Sequence, residues 1–354
     1  MCRKRMLLIL ILAGLLLRNS FGESVCKGGK SPLDELPPHI KQVTHFGERA
    51  DWSHDGERIM FIEKTFGDVY EVELETGIIR PLTHHYYHEG YTRALYLSNG
   101  DILLSGARKF DAENPKASRS EEDAELWVLK KDLSGPPIPL GEKCSEGPAV
   151  SRRRMRIAWT QREAFYIADI VYENGKAKLA NKNKILDGRD LPFECWLETQ
   201  NFRPPDEKEL IFSAYGYQGS EVMGLDIETG KVINYSKAPE QYDEPEGIFP
   251  DGKYTLVECN AHNPQEVEYG DFAGISLDIY KLALDGSGKS ERLTYFNDYP
   301  GYKSTNPVVS DDGRFMAFQY AKKGDKAGVG RGIMIFDLVM YERTAEKMKE
   351  SGGK

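Results

Sequence analysis

A short pattern, Trp52-Ser53-His54-Asp55-Gly56-Glu57-Arg58 followed by the apolar Ile59, Met60 and Phe61, recurs along the chain. It returns as Ser310-Asp311-Asp312-Gly313-Arg314-Phe315 and as Phe249-Pro250-Asp251-Gly252-Lys253-Tyr254. In each copy one strand ends, an Asp-Gly pair reverses the chain because glycine tolerates positive φ, and a second apolar strand begins. Looser copies stand around Asn99-Gly100, Arg153 and Asp206. The turn residues Asp55, Asn99, Arg153, Asp206, Asp251 and Asp312 are separated by 44, 54, 53, 45 and 61 residues. A period of about 40 to 50 residues filled with short strands is the signature of a β-propeller blade. Six copies predict an all-β, six-bladed β-propeller of four-stranded antiparallel blades.

The second half of each unit repeats as well. Strands expected at 69–74, 222–227 and 279–284 are followed by Glu75-Thr76-Gly77, Glu228-Thr229-Gly230 and Asp285-Gly286, which read as hairpin turns. Ile40-Lys41-Gln42-Val43-Thr44-His45-Phe46 matches Ser290-Glu291-Arg292-Leu293-Thr294-Tyr295-Phe296, an outermost strand. It has no unit before it, and the last unit, ending at Ile333 to Leu338, lacks an outer strand. The N-terminal strand is therefore expected to complete the last blade, which removes an exposed edge.

Ahead of the propeller (39–340), Arg3-Lys4-Arg5 precede an apolar run over 6–17 and the small residues Ser20 and Gly22. Residues 1–22 read as a cleaved signal peptide, with an uncleaved anchor as the alternative. Residues 23–38 read as a leader with little structure, and 341–354 as a tail, helical or disordered. Cleavage removes four basic residues and no acidic one, so the net charge moves from −9 to −13. So acidic a chain is a poor partner for nucleic acid, whose binding rests on phosphate neutralisation. The expected location is periplasmic or secreted, with no membrane insertion after cleavage. Cys26, Cys144, Cys195 and Cys259 then permit two disulfides. Cys195 with Cys259, on adjacent blades near one rim, is the expected bridge.

Two insertions interrupt the pattern. Residues 110–123 are polar and read as a solvated loop, and 321–331 form a glycine-rich loop between strands, where a phosphate cradle would need a helix N-terminus.

The Trp-Ser-x-Asp-Gly-x-Arg cores at 52–58 and 310–314 resemble the Pro-Asp repeats of TolB-like β-propellers, relatives of WD40 propellers. The resemblance covers residues 39–340 and departs at Arg152-Arg153-Arg154 and at Pro204-Pro205. It implies an exported propeller that binds other macromolecules. Oligogalacturonate lyase, a propeller that holds manganese through histidines, offers a second comparison, but His39, His45 and His54 fall on the outer strand or the wrong rim for such a site. Prolyl-oligopeptidase-like enzymes carry G-x-S-x-G, which this chain lacks.

If the Asp-Gly turns mark one rim, starts of inner strands and ends of second strands gather at the other, around the channel mouth. That set is polar: His88, Glu89, Glu146, Glu194, Trp196, Tyr215, Glu244, Glu246, Glu258, His262, Lys303 and Gln319 are the candidate binding residues. Converging carboxylates could hold a divalent cation or a basic ligand. His84-His85-Tyr86-Tyr87-His88-Glu89 lies on one loop, and reads as a binding rim rather than as a metal site. Two function classes follow. The first is a non-catalytic propeller that takes a protein, glycan or small ligand at the mouth, with no cofactor assigned. The second is a metal-assisted lyase or hydrolase acting on a saccharide.

Overall fold

The computed structural model describes residues 30–352 apart from 121, 146, 265–273 and 326–327. The expected signal peptide, Cys26 and the candidate Glu146 lie outside the described residues. Strand β1 (Ile40–Gln42) comes first. Blade one holds β2 (Glu48–Trp52), β3 (Arg58–Ile62), β4 (Val69–Glu73) and β5 (Ile79–Pro81), and blade two β6 (Arg93–Tyr96), β7 (Ile102–Ala107), β8 (Ala124–Leu129) and β9 (Ile138–Lys143). Blade three holds β10 (Ala149–Val150), β11 (Arg156–Gln161), β12 (Ala164–Glu173) and β13 (Lys176–Asp187), and blade four β14 (Trp196–Phe202), β15 (Glu209–Tyr215), β16 (Gly219–Asp226) and β17 (Val232–Asn234). β18 (Gln241–Ile248), β19 (Tyr254–Cys259), β20 (Asp278–Ala283) and β21 (Ser290–Arg292) make blade five. β22 (Tyr302–Val309), β23 (Phe315–Lys322) and β24 (Ile333–Asp337) join β1 in blade six.

Blades four and five are continuous through a short parallel pairing of Gly219 with Gln241 and Ser220 with Tyr242. The six-blade count rests on dividing that sheet at this pairing. Inner strands meet in chain order, β2 against β6, β10 against β14, β14 against β18, β18 against β22, and β22 returns to β2. β1 pairs antiparallel with β24, Ile40 opposite Phe336 and Gln42 opposite Met334, so the N-terminal strand does complete the last blade.

The cores lie between blades, and the period of two explains how one strand serves two of them. Met60 and Ile62 of β3 pack toward blade two, among Tyr91, Ala94 and Leu104. The alternate residues Ile59 and Phe61 pack toward blade six, with Ala317 and Ile333. Second strands are therefore buried on both faces and read as unbroken apolar runs.

The repeated turns explain their own sequence. In blade one Asp55 Oδ1 accepts from Ser53 Oγ at 2.5 Å and from Glu57 N at 3.0 Å, while Arg58 N donates to Ser53 Oγ at 3.0 Å. Blade six repeats this with Ser310, Asp312, Arg314 and Phe315. Gly56 and Gly313 sit at φ +73° and +72°. In blade four the left-handed position is filled by Glu207 at φ +57°. In blade three Ser151 Oγ takes the amides of Arg153 and Arg154 instead.

A second repeated contact pins the outer strands of blades one, four, five and six. Thr83, Ser236, Thr294 and Thr44 each accept from the amide of a third-strand residue, Val69, Val222, Ile279 and Ile333, at 2.8–2.9 Å. The hydroxyls of the first three donate in turn to Asp68, Glu221 and Asp278, the acid just ahead of that residue. Thr44 thus does for blade six what Thr294 does for blade five, as the sequence match predicts.

Several expectations need correction. The described part of the leader is docked: Ser31 caps a 3₁₀ turn at Pro32–Asp34, and Leu33 and Leu36 pack on the core between blades five and six. The tail is a helix, α2 (Leu338–Gly352), starting three residues early. The 110–123 insertion carries a helical turn, α1 (Pro115–Arg119), and is not wholly solvated, since Ala117 and Ser118 are buried and Ser118 Oγ accepts from Asp111 N at 2.9 Å. In the glycine-rich insertion, a Cβ at Gly330 would meet Glu63 O at 2.5 Å, so that glycine serves close packing on blade one. Cys195 and Cys259 are not bridged. Cys195 packs in the core between blades three and four, Cys259 in that between four and five, so β14 to β16 separate them. Among the described residues no helix is long and apolar enough to cross a membrane.

Candidate functional site

Four inner strands slip register near their middle. The breaks fall between Glu48 and Asp51 in β2, Thr199 and Asn201 in β14, Pro245 and Gly247 in β18, and Thr305 and Val308 in β22. A bulge re-aims the side chain it carries. The residues inside the breaks include Arg49 (φ +54°), Gln200, Glu246 and Asn306 (φ +49°), a polar set at matching positions of four blades.

Around Glu246 a carboxylate cluster is assembled. One carboxylate oxygen from each of Glu244, Glu246 and Glu258 lies within 4.8 Å of the others. Glu246 and Glu258 are buried and Glu244 is half-buried. Asn306 holds two of them, its amide donating to Glu258 Oε1 at 2.6 Å and its Nδ2 to Glu246 Oε1 at 2.8 Å. The hydroxyl of Tyr215 lies 2.5 Å from Glu244 Oε1 and 2.8 Å from Glu198 Oε2, so its single proton serves one of these carboxylates at a time, and the hydroxyl of Tyr242 donates to Glu244 Oε2. Arg93 Nη1 reaches Glu246 Oε2 at 3.4 Å from blade two, across the channel axis.

Carboxylates this close and this buried cannot all ionise. Burial, then repulsion from Glu246, pushes Glu258 up to about 8 against the opposing pull of the Asn306 amide, Lys303 and Arg49. Burial, with repulsion from Glu258, Glu246 and Glu198, holds Glu244 well above the usual carboxylate range. Asp243, behind them, is raised to about 7, chiefly by burial. At neutral pH the cluster therefore retains protons that separate carboxylates in water would have lost.

The structure sorts the other candidates. Lys303 is buried beside the cluster, and Gln319 accepts from Arg49 N at 2.6 Å. Trp196 is 62% exposed at the rim, with Lys116 of α1 5.9 Å from its ring. Phe110 of the same insertion packs on Phe66 of blade one, centroids 4.7 Å apart, so the insertion reaches from blade one to blade four. Glu194 is exposed just ahead of Trp196. His262 stacks near Tyr280, its Nδ1 3.3 Å from the phenol oxygen. His88 braces its own loop, its Nε2 donating to Asp68 at 2.8 Å and its Nδ1 accepting from Gly90 N at 2.9 Å. Glu89 accepts from Tyr87 on that loop. Sequence reasoning missed Arg49, Arg93, Glu198 and Tyr242. Only the bulges bring Arg49 to the axis, and strict alternation along a strand gives no sign of them.

Neither a protein-family model nor a curated protein matches the sequence. Solved structures do match in fold. U3-55K is 9% identical with a TM-score of 0.51, over 85% of this chain and 98% of that one. The RRP9 WD40 repeats are 9% identical with a TM-score of 0.50, over 84% and 97%. A putative TolB from Agrobacterium tumefaciens is 14% identical with a TM-score of 0.38, over 83% and 89%. The chain is a β-propeller, similar in fold to the RRP9 WD40 repeats and to U3-55K.

Proposed function

We propose that this propeller is an exported binding module whose channel mouth takes a cationic group, either a divalent cation or a basic group carried on a protein or glycan ligand. The observation that carries this reading is the Glu244, Glu246 and Glu258 cluster, whose oxygens lie within 4.8 Å of one another. Burying three carboxylates together is costly, and no turn or strand pairing asks for it. Arg93, Lys303 and Arg49 offset part of that cost, yet Glu258 and Glu244 stay raised. Arg93 Nε is buried without a hydrogen-bond partner, a donor left over for an acceptor on the ligand. Exposed Trp196 at the rim adds apolar contact area. Export rests on the basic and apolar pattern of residues 1–22.

A thermal-shift screen of the mature chain tests this, with Mn²⁺ or Ca²⁺ alone, an arginine- and lysine-rich peptide pool, and a cationic amino-sugar oligomer. A ligand of the native state raises Tm, by about 2.7 kcal/mol of added stability at a hundred times its Kd. One of these probes is expected to raise Tm for the wild type and to lose that effect in Glu244→Gln with Glu258→Gln. A response equally large in the double variant would remove the cluster as the site.

A further inference from the structure

At the rim of the Asp-Gly turns, a second charged group closes the channel. Arg152 of blade three reaches across the axis, its Nη2 2.7 Å from Asp311 Oδ1 of blade six and 2.8 Å from Trp52 O of blade one. Its Nη1 is 3.4 Å from the buried Asp51, whose Oδ2 accepts from Tyr96 N of blade two at 2.7 Å. His54 of blade one completes the group. Its Nδ1 is 2.7 Å from Asp311 Oδ2 and its Nε2 is 2.9 Å from Leu97 O of blade two.

Both partners of His54 are acceptors. A neutral imidazole carries one donor and one acceptor nitrogen, so it can satisfy only one of these contacts, while the imidazolium satisfies both. We propose that protonated His54 latches the floor of the channel, tying blade one to blades two and six at once, and that the latch lets go when the imidazole loses its proton. The balance of charge agrees: Asp51 and Asp311 face Arg152 and His54, two anions against two cations. The hydrogen bond to Asp311 raises the proton affinity of His54, and Leu97 O adds to it, against burial and the nearby Arg152. Asp51, Asp55, Arg58, Glu71, Arg80 and Lys131 are the other charged groups around it. The side chain is 27% exposed, so protons reach it from solvent.

The sign follows from linkage. A histidine whose folded proton affinity exceeds that of the open chain contributes stability that is complete below about pH 6.5 and is lost as pH rises through the folded value. Asp311 stays held by Arg152 when this happens, so the ring keeps its cross-axis bridge while blade one gives up one neighbour.

The test is an NMR titration of the His54 ε1 C–H group in the labelled mature chain, followed together with the amide of Ser98, which shares the Leu97 peptide group. His54 is expected to titrate above 6.5, the Ser98 amide to move with the same midpoint, and Asp311→Asn to lower that midpoint by a unit or more, a tenfold loss of proton affinity. Titration of wild-type His54 at or below 6.5, or a Ser98 amide that does not follow it, would overturn the latch without any variant needing to fold. An unchanged midpoint in a folded Asp311→Asn chain would overturn it as well.

Discussion

Single residues in this molecule divide by whether backbone geometry demands them. Asp55 is demanded: it accepts from Ser53, Glu57 and Arg58, and its carboxyl is held below the ordinary range by those bonds against a desolvation that acts the other way. Asp55→Ala should cost about 1 kcal/mol or somewhat more, read as a lower urea midpoint, and leave ligand binding at the mouth unchanged. Glu258 is not demanded by the fold. Its folded value near 8 lies above the ordinary 4.5, so the folded chain binds more protons than the unfolded one, and stability declines as pH rises from about 5 through 8. Glu258→Gln, which keeps the shape of the protonated acid, should flatten that decline in urea midpoints taken at pH 5, 7 and 9. A decline of the same steepness in the variant would show that Glu258 is ionised in the native state.

At the scale of strands, the sequence was most legible where backbone need and side chain coincide. The Ser-x-Asp-Gly turns could be read directly, because each residue type there satisfies a hydrogen bond that the local conformation leaves open, whereas the match of 40–46 to 290–296 placed Thr44 and Thr294 at equivalent positions without revealing the contacts they make. The channel lining was less legible. Glu244, Glu246 and Glu258 were found because they flank a turn copy, but Arg49 and Arg93 were not, since bulges and cross-axis approaches depend on strands distant in sequence. Arg152 looked like a defective turn residue and proves to be the bridge across the floor. The expected Cys195 to Cys259 bridge failed for a related reason: two residues near one rim can still face different interblade cores. The clasp gives a clear test. Thr44→Val keeps the shape of the side chain but leaves the buried amide of Ile333 without an acceptor, and should cost about 1 to 3 kcal/mol in chemical denaturation.

For the whole molecule, closure is the controlling fact. Blade six borrows β1 from the other end of the chain, so the ring is fastened by three residue pairs, by the backbone bonds of Val43 N to Ile333 O and of Asp337 N to His39 O, and by Thr44. Removing residues 30–46 would bare the edge of β24 and uncover Met334 and Phe336. The truncated chain is expected to aggregate or to lose its cooperative melting transition, whereas removing 342–352, which leaves β1 in place, should leave a cooperative transition. A truncation at residue 46 that melts like the full chain would show that the closure carries no stability.

The two guanidinium bridges, Arg93 to Glu246 and Arg152 to Asp311, join facing blades at different depths. A strand of polysaccharide or an extended peptide therefore cannot thread this ring from one side to the other. On the proposed reading, what enters the mouth is an end, a branch or a single projecting side chain, and it leaves by the way it came. With those bridges in place the ring has the form of a thimble rather than a bead, and the binding proposed for its mouth would favour tips over runs of repeating units.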